Sequence, residues 1–356
     1  MASRICTNCL LTDDTPGIHF DENGVCNYCS MYEKMTVLGE DKLLEVLNQY
    51  RDKSKKYDCM IGLSGGRDST YTLWKLVNDY KLRVIAIHYD NPFTSEQARI
   101  NMKKATEILG VDIIKWRFPD NAHVNATKKA IKVWANHPSS IMIPVVCAHC
   151  KNWWPTIFKH ARAQNVSLII IGSNPLETAS FKQKGFGGAR TYHKFSNIPN
   201  VIEKSFRELW ANPRYLTNLS WPLILSMYLG ASHSSPYLKW RYKDVNVIRL
   251  FDYIKWNEDE VESAIKTNLS WQKSPEVASS WRFDCRLDYV RRKMYSSTIG
   301  ITELRDLLSK MIREGMITRE KAAARLEVED QIPLPVIENV LSNLDIKISD
   351  LKIKDI

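Results

Sequence analysis

No long apolar run interrupts this chain. The longest largely apolar stretch, residues 221–229, contains Pro222 and is too short to span a bilayer, so it predicts a buried or partner-facing helix. Cys6 and Cys9 fall where the apolar core of a secretory signal would have to lie, which argues against such a signal and predicts a cytoplasmic protein. Internal repeats and low-complexity tracts are missing, and the phosphate pattern G-x-x-x-x-G-K-[ST] does not occur. No Ser-His-Asp or paired-carboxylate signature points to a covalent acyl or glycosyl mechanism. What remains is an ordinary apolar and charged composition in 356 residues, enough for one large α/β domain with appendages.

The most informative stretch is Ser64-Gly65-Gly66-Arg67-Asp68-Ser69-Thr70, set between a buried-strand pattern (58–63) and a helical one (71–77). A strand that turns through glycines into a helix leaves backbone N–H groups aimed at one spot, which suits phosphate oxygens. Gly65 and Gly66 permit the turn and a close approach of the ligand. Ser64, Ser69 and Thr70 add hydroxyls, and Arg67 adds a cation with a fork suited to phosphate. Asp68 is the acid in this basic cradle and reads as a ligand for Mg²⁺ carried by a nucleotide.

Eight cysteines in a chain with no visible secretory signal argue against a disulfide framework. Cys6/Cys9 and Cys26/Cys29 form two C-x-x-C turns on either side of a polar loop with Gly17 and Gly24, the spacing of a zinc ribbon. A closed four-cysteine site of this kind folds an N-terminal knuckle, with zinc first and another metal as the alternative. Cys147-Ala148-His149-Cys150 and the later Cys285 form a second group. Three thiolates leave one position open, which suits a second metal or an iron–sulfur cluster; Cys285 packing as a small hydrophobe is the competing account. His149, inside its turn, is awkwardly placed as a fourth ligand. Cys59 lies within the first strand and reads as core.

Strand and helix patterns alternate along the chain. Helix is expected over 41–50, strands over 58–63, 83–88 and 111–116, and helices over 95–109 and 122–135. A helix near Asn152, a buried strand over 168–171, a strand over 245–256 and a helix over 258–267 follow. This order predicts a doubly wound parallel sheet with helices on both faces and ligands beyond the carboxyl ends of the strands. There the loop would meet His88, Tyr89, Asp90 and Asn91, candidates for adenine and ribose contacts, and Gly172-Ser173-Asn174. The expected units are a ribbon (1–38), a nucleotide domain (39–296) and a helical tail (297–356), in which Thr318 caps one helix. Residues 175–244 lose the pattern, and Gly185-Phe186-Gly187-Gly188 in particular, with the rest of 185–190, predicts a substrate-binding or lid element.

The formal net charge of +10 suits an anionic ligand, either nucleic acid or a nucleotide-linked sugar, and equally a merely soluble basic surface. No dense Lys/Arg stripe with interleaved aromatics supports nucleic acid.

The S-G-G-x-D-S loop resembles the signature of the PP-loop ATP pyrophosphatases, with Arg67 where that superfamily more often has lysine. Cys6-Thr7-Asn8-Cys9, then Phe20 through Cys29, then Trp281-Arg282-Phe283-Asp284-Cys285, and a tail like Ile312 through Glu320 occur in order. Together they resemble the N-acetyl sugar amidotransferases of bacterial surface-polysaccharide and flagellin-sugar biosynthesis, over nearly the whole chain. The resemblance implies conversion of a sugar acetamido group, on a nucleotide-linked sugar, to an acetamidino group. ATP would activate the amide oxygen, ammonia would attack, and AMP and pyrophosphate would leave. It further implies ammonia supplied by partners resembling the glutaminase and barrel subunits of histidine biosynthesis. A tRNA thiolase of the same superfamily, with a [4Fe-4S] cluster on Cys147, Cys150 and Cys285, is the alternative resemblance.

Overall fold

The computed structural model describes residues 3–177, 180, 198–218, 232–233, 235–331 and 333–351. Residues 185–190 and 221–229, for which the sequence predicts a substrate element and a helix, lie outside the described residues.

Among the described residues, five strands form one parallel sheet, β1 (Cys59–Gly62), β2 (Val84–Tyr89), β3 (Asp112–Trp116), β4 (Leu168–Ile171) and β5 (Asn246–Arg249), in the order β3-β2-β1-β4-β5. β1 is central: Ile61 lies opposite Ala86 on one side and Ile170 on the other. Its side chains alternate between two layers. Cys59 and Ile61 pack with Leu73 and Leu76 of one helix, and Met60 packs with Ile157 and Phe158 of another. A strand covered on both faces must be apolar throughout, which is why C-M-I could be read as buried parallel strand. The strand order reverses between β1 and β4, so the ligand crevice opens at their carboxyl ends.

Local signals set the helix ends where the sequence expects them. Ser95 accepts a hydrogen bond from the Ala98 amide at the start of Glu96–Leu109, and Gly110 closes that helix at φ 63°. Thr318 caps Arg319–Glu329 through the Lys321 amide. The strand expected over 245–256 is shorter: after β5 the chain turns into a 3₁₀ segment at Leu250–Asp252, which buries Leu250 and Phe251. Near Asn152, a short turn of helix (Ala148–Lys151) precedes Trp154–Ala163. Between 175 and 244, helices occupy Ile198–Ala211, Arg214–Asn218 and Pro236–Arg241, where the sequence pattern had dissolved.

The helices Glu303–Glu314 and Arg319–Glu329 belong to the main core, whereas Leu334–Ser342 packs in a second apolar cluster. Leu304, Leu307, Leu308 and Met311 of the tail helix Glu303–Glu314 share one apolar cluster with Leu43, Ile61 and Leu73. No helix among the described residues is long and apolar enough to cross a membrane.

Candidate functional site

The loop Ser64–Thr70, for which the sequence predicts phosphate binding, occupies the crevice beyond β1. Gly66 stands at the N-cap of the helix Arg67–Asn78, so the first-turn amides face the crevice without intrahelical acceptors. Gly65 has φ +80°, and a Cβ there would lie 2.2 Å from the Ala98 carbonyl oxygen. Its own carbonyl accepts from Trp271 Nε1 (3.1 Å) and Asn101 Nδ2 (3.3 Å), which pins the peptide in place. Ser64 and Ser69 are joined through their hydroxyls at 3.0 Å, and Thr70 Oγ1 donates to the Gly66 carbonyl at 2.7 Å. We expect Gly65→Ala to bring about 1–2 kcal/mol of backbone strain plus the clash with residue 98. Under the ATP-binding reading proposed below, the ATP dissociation constant should rise at least about tenfold, read by calorimetric titration.

Arg67 lies in the loop wall of the crevice but is already paired. Its guanidinium is buried and committed to carboxylates: Nε to Asp68 Oδ1 at 3.1 Å, Nη1 to Glu258, and Nη1 to Glu262 at 3.7 Å. Ser280 Oγ accepts from Nη1 at 3.1 Å, and the guanidinium carbon lies 5.0 Å from the Trp256 ring centroid. Trp256 Nε1 also donates to Asp68 Oδ1 at 3.0 Å. A cation satisfied on this scale holds the start of the helix together; it is not free to follow a phosphate.

The loop opens onto a cavity of about 840 Å³, lined by Ser64, Gly66, Arg67, Asp68 and Ser69 on one wall. His88, Tyr89 and Gly172 line it at the ends of β2 and β4, and Asp284, Cys147, Cys150 and Cys285 face the same space. His88 Nδ1 lies 2.9 Å from the Leu63 carbonyl, which can only accept, so the ring donates from Nδ1 and Nε2 is an acceptor. Nε2 is buried without a hydrogen-bond partner among the described residues, and burial lowers the ring's pKa and favours the neutral form. That acceptor suits an N–H or O–H of a nucleoside.

Other expected residues lie outside the cavity wall. Asp90 is held by Arg99 and Arg117. Asn174 Oδ1 accepts from the Leu176 amide at 2.8 Å, shaping the turn after β4. Gly65 and Thr70 shape the loop.

Segment 281–285 closes the cavity's far wall, strapped antiparallel to residues 93–95. The Ser95 amide donates to the Asp284 carbonyl (3.0 Å), Arg286 N donates to the Phe93 carbonyl (2.8 Å), and Thr94 bridges Cys285. Asp284 is hydrogen-bonded by Ser64 and comes within 3.2 Å of the position a Cβ on Gly66 would take. Burial raises its carboxyl pKa. In the sequence Asp284 stands out only within Trp281-Arg282-Phe283-Asp284-Cys285, and Glu177, at the same crevice, carries no local signal.

The Cys147/Cys150/Cys285 trio is not gathered as for a single ion. Among the described residues, Cys6, Cys9, Cys26 and Cys29 are the one group of three or more whose ligand atoms all lie within 4.8 Å of one another. The trio is spread around the cavity and joined by Asn91, whose Nδ2 lies 3.4 Å from Cys285 Sγ and 3.7 Å from Cys150 Sγ. His123 Nε2 lies 3.6 Å from Cys150 Sγ, and its Nδ1 is 2.5 Å from the Tyr89 hydroxyl. Burial, then His149, pulls the His123 pKa down to about 3.

At the N-terminus the four cysteines form a metal-binding site. Cys6 and Cys29 sulfurs lie 4.0 Å apart, and those of Cys9 and Cys26 lie 3.8 Å apart. Thiolates around tetrahedral zinc at 2.3 Å would be about 3.8 Å apart. The spacing therefore fits one ion bound by four thiolates. Two C-terminal helices supply the next layer: Arg313 of the tail helix donates to Cys29 Sγ (3.3 Å) and Cys9 Sγ (3.4 Å), and Arg319, first residue of the following helix, donates to the Cys6 and Cys9 carbonyls.

No family model matches the chain. It is 26% identical to an uncharacterized protein of Methanocaldococcus jannaschii over 343 residues, covering 94% of this chain and 97% of that one. Among solved structures it is similar to the U34-tRNA thiolase of Methanococcus maripaludis with its [4Fe-4S] cluster (TM-score 0.34, 16% identity, 92% of this chain and 89% of that one). It is also similar to the NH3-dependent NAD synthetase of Campylobacter jejuni (TM-score 0.30, 15% identity, 54% of this chain and 91% of that one).

Proposed function

We propose that this protein is an ATP-dependent, AMP-forming enzyme of the PP-loop type that converts a sugar acetamido group to an acetamidino group with ammonia. The observation that carries this reading is the meeting of two sequence features in one cavity. The phosphate loop forms one wall, and the W-R-F-D-C segment, which bears the resemblance to sugar amidotransferases, forms the other, with Asp284 against Ser64 and Gly66.

The chemistry follows from the electrophile. A sugar amide is a poor acceptor of nitrogen, and adenylating its oxygen creates a good leaving group. Loop amides and the Ser64 and Ser69 hydroxyls bind the pyrophosphate and stabilise its charge as it departs. Asp68 would hold the nucleotide's Mg²⁺, which supplies charge neutralisation there. His88 Nε2 accepts from the nucleoside, and Arg67 positions Asp68. Zinc on Cys6, Cys9, Cys26 and Cys29 is structural. Ammonia comes from glutaminase and barrel partners, so the isolated chain uses ammonium and not glutamine.

A second reading, tRNA thiolation, is favoured by one observation: Cys147, Cys150 and Cys285 line the cavity that holds the loop, spread more widely than one ion needs. A [4Fe-4S] cluster is the group such a set would hold.

The test is AMP and pyrophosphate release with Mg-ATP and ammonium, comparing nucleotide-linked diacetamido sugars with unmodified tRNA plus a sulfur donor. Sugar-dependent AMP release with a product one mass unit lighter supports the amidotransferase; release only with tRNA moves the assignment to thiolation. Asp68→Ala should lower AMP formation by about 10²–10³, and full turnover in that variant overturns its assigned role.

A further inference from the structure

We propose that Glu177 is the general base of the second half-reaction, taking the proton from the nitrogen that displaces AMP. The inference rests on the amidotransferase reading above and names a residue for its least explained step.

Glu177 lies just past β4, in the crevice between β4 and β1 where the strand order reverses, and it lines the cavity with the phosphate loop. This is where the reacting carbon must sit, since its activated oxygen is joined to the α-phosphate beside the loop. The carboxylate is held by the opposite wall: Trp281 Nε1 donates to Oε1 at 3.2 Å, and Arg282 Nη2 donates to the Glu177 carbonyl at 3.4 Å. Arg282 adopts φ +52°, a left-handed conformation that is costly for an arginine and common where a site is built on strain.

The surroundings suit a base. Burial pushes the Glu177 carboxyl up to about 7, opposed by Arg282 and reinforced by Asp68 and Asp284, with Arg67 lowering it. On the tail-helix side Lys310 donates to the Leu176 carbonyl and pairs with Asp306. A carboxyl poised near neutrality can take a proton and return it to solvent in each cycle.

The step balances as follows. The ammonia lone pair forms a C–N bond to the carbon of the adenylated imidate, protonated on its nitrogen, and the C=N π pair moves onto that nitrogen, giving a tetrahedral centre that carries NH₃⁺. The Glu177 carboxylate accepts one of those protons. The C–O bond to AMP then breaks, its electron pair leaves on the phosphate oxygen of AMP, and the amidinium product remains. No oxidant or reductant is required.

The test separates the two halves of the reaction in Glu177→Gln, which keeps an oxygen to accept from Trp281. Sugar-dependent ATP–pyrophosphate exchange reports adenylation, and amidino-sugar formation reports the whole. We expect the variant's kcat/KM for ammonia to fall about 10²–10⁴-fold while exchange falls less than about tenfold. Per concentration of free ammonia, wild-type kcat/KM should rise with pH through about 7, and that limb should vanish in the variant. Equal loss of exchange and turnover would make Glu177 a metal or phosphate ligand and overturn the inference, as would an unchanged pH limb. Absence of exchange with any sugar in the wild type overturns the functional reading itself, a distinct result.

Discussion

Arg67→Met is expected to destabilise the protein by about 3–5 kcal/mol at neutral pH, because it leaves buried carboxylates without their shared cation. Asp68 and Glu258 lose an ion pair, and Glu262 loses a nearby charge. Arg325 still pairs with Glu258 at 2.6 Å, so the network does not fall apart completely. The pH dependence has a definite sign. Burial by itself would raise the Glu258 carboxyl, but Arg67 and then Arg325 hold it below its ordinary value. A depressed carboxylate contributes stability above its unfolded pKa and loses it as pH falls through the folded one. The gap between wild type and variant should therefore be widest near neutrality and narrow below about pH 4. Urea unfolding at the two pH values checks this; a gap that stays constant would show that lost packing against Trp256, not charge, carries the effect.

Removing the ribbon metal is the second large perturbation. With zinc there, as proposed above, the site would contribute on the order of 10 kcal/mol to the folding of the segment that holds it. Cys9→Ser should lose the ion, by elemental analysis, and release the N-terminal knuckle. The damage will extend along the tail helix, because that helix clamps the knuckle at several points. Ser309 Oγ accepts from the Leu10 amide at 3.2 Å, Arg305 donates to the Leu10 carbonyl at 3.0 Å, and Glu314 accepts from the Tyr32 hydroxyl and the Met35 amide. At the helix's other end Glu303 pairs with Arg291 at 3.0 Å, and Arg291 lines the cavity. Hydrogen exchange over 303–314 should accelerate in Cys9→Ser and stay slow in Cys59→Ala, whose thiol is core. Equal protection in both variants would show that the tail docks without the metal.

The sheet was legible because period and punctuation agree with its burial. β4 is apolar throughout and ends at Gly172, and the helix Glu96–Leu109 carries a serine cap and a glycine stop. The fifth strand was overread because Leu250, Phe251 and Trp256 are buried in a 3₁₀ turn and coil that keep a strand-like composition. The helix Ile198–Ala211 is strongly amphipathic, so its pattern is present in the sequence even though the segment around it lacks one. In the site, the loop's position followed from its glycines, but the direction of Arg67 did not. That direction depends on Glu258 and Glu262, nearly two hundred residues away, and no local pattern encodes it. Asp284 and Glu177 are hidden for the same reason: each becomes a cavity residue only when the chain folds 281–285 back against the loop.

The burial of the ribbon sulfurs also has a kinetic meaning. Cys6, Cys9 and Cys26 are fully shielded, and Arg313 from the tail lies against the sulfurs of Cys9 and Cys29. With only Cys29 partly open to solvent, an ion should enter most readily while the C-terminal helix is still undocked, so metal loading is expected to precede the last stage of assembly. Once that helix has closed, retention is governed by the door as well as by affinity. The rate at which a chelator strips the protein then measures how often the tail lifts, and it should level off as chelator concentration rises.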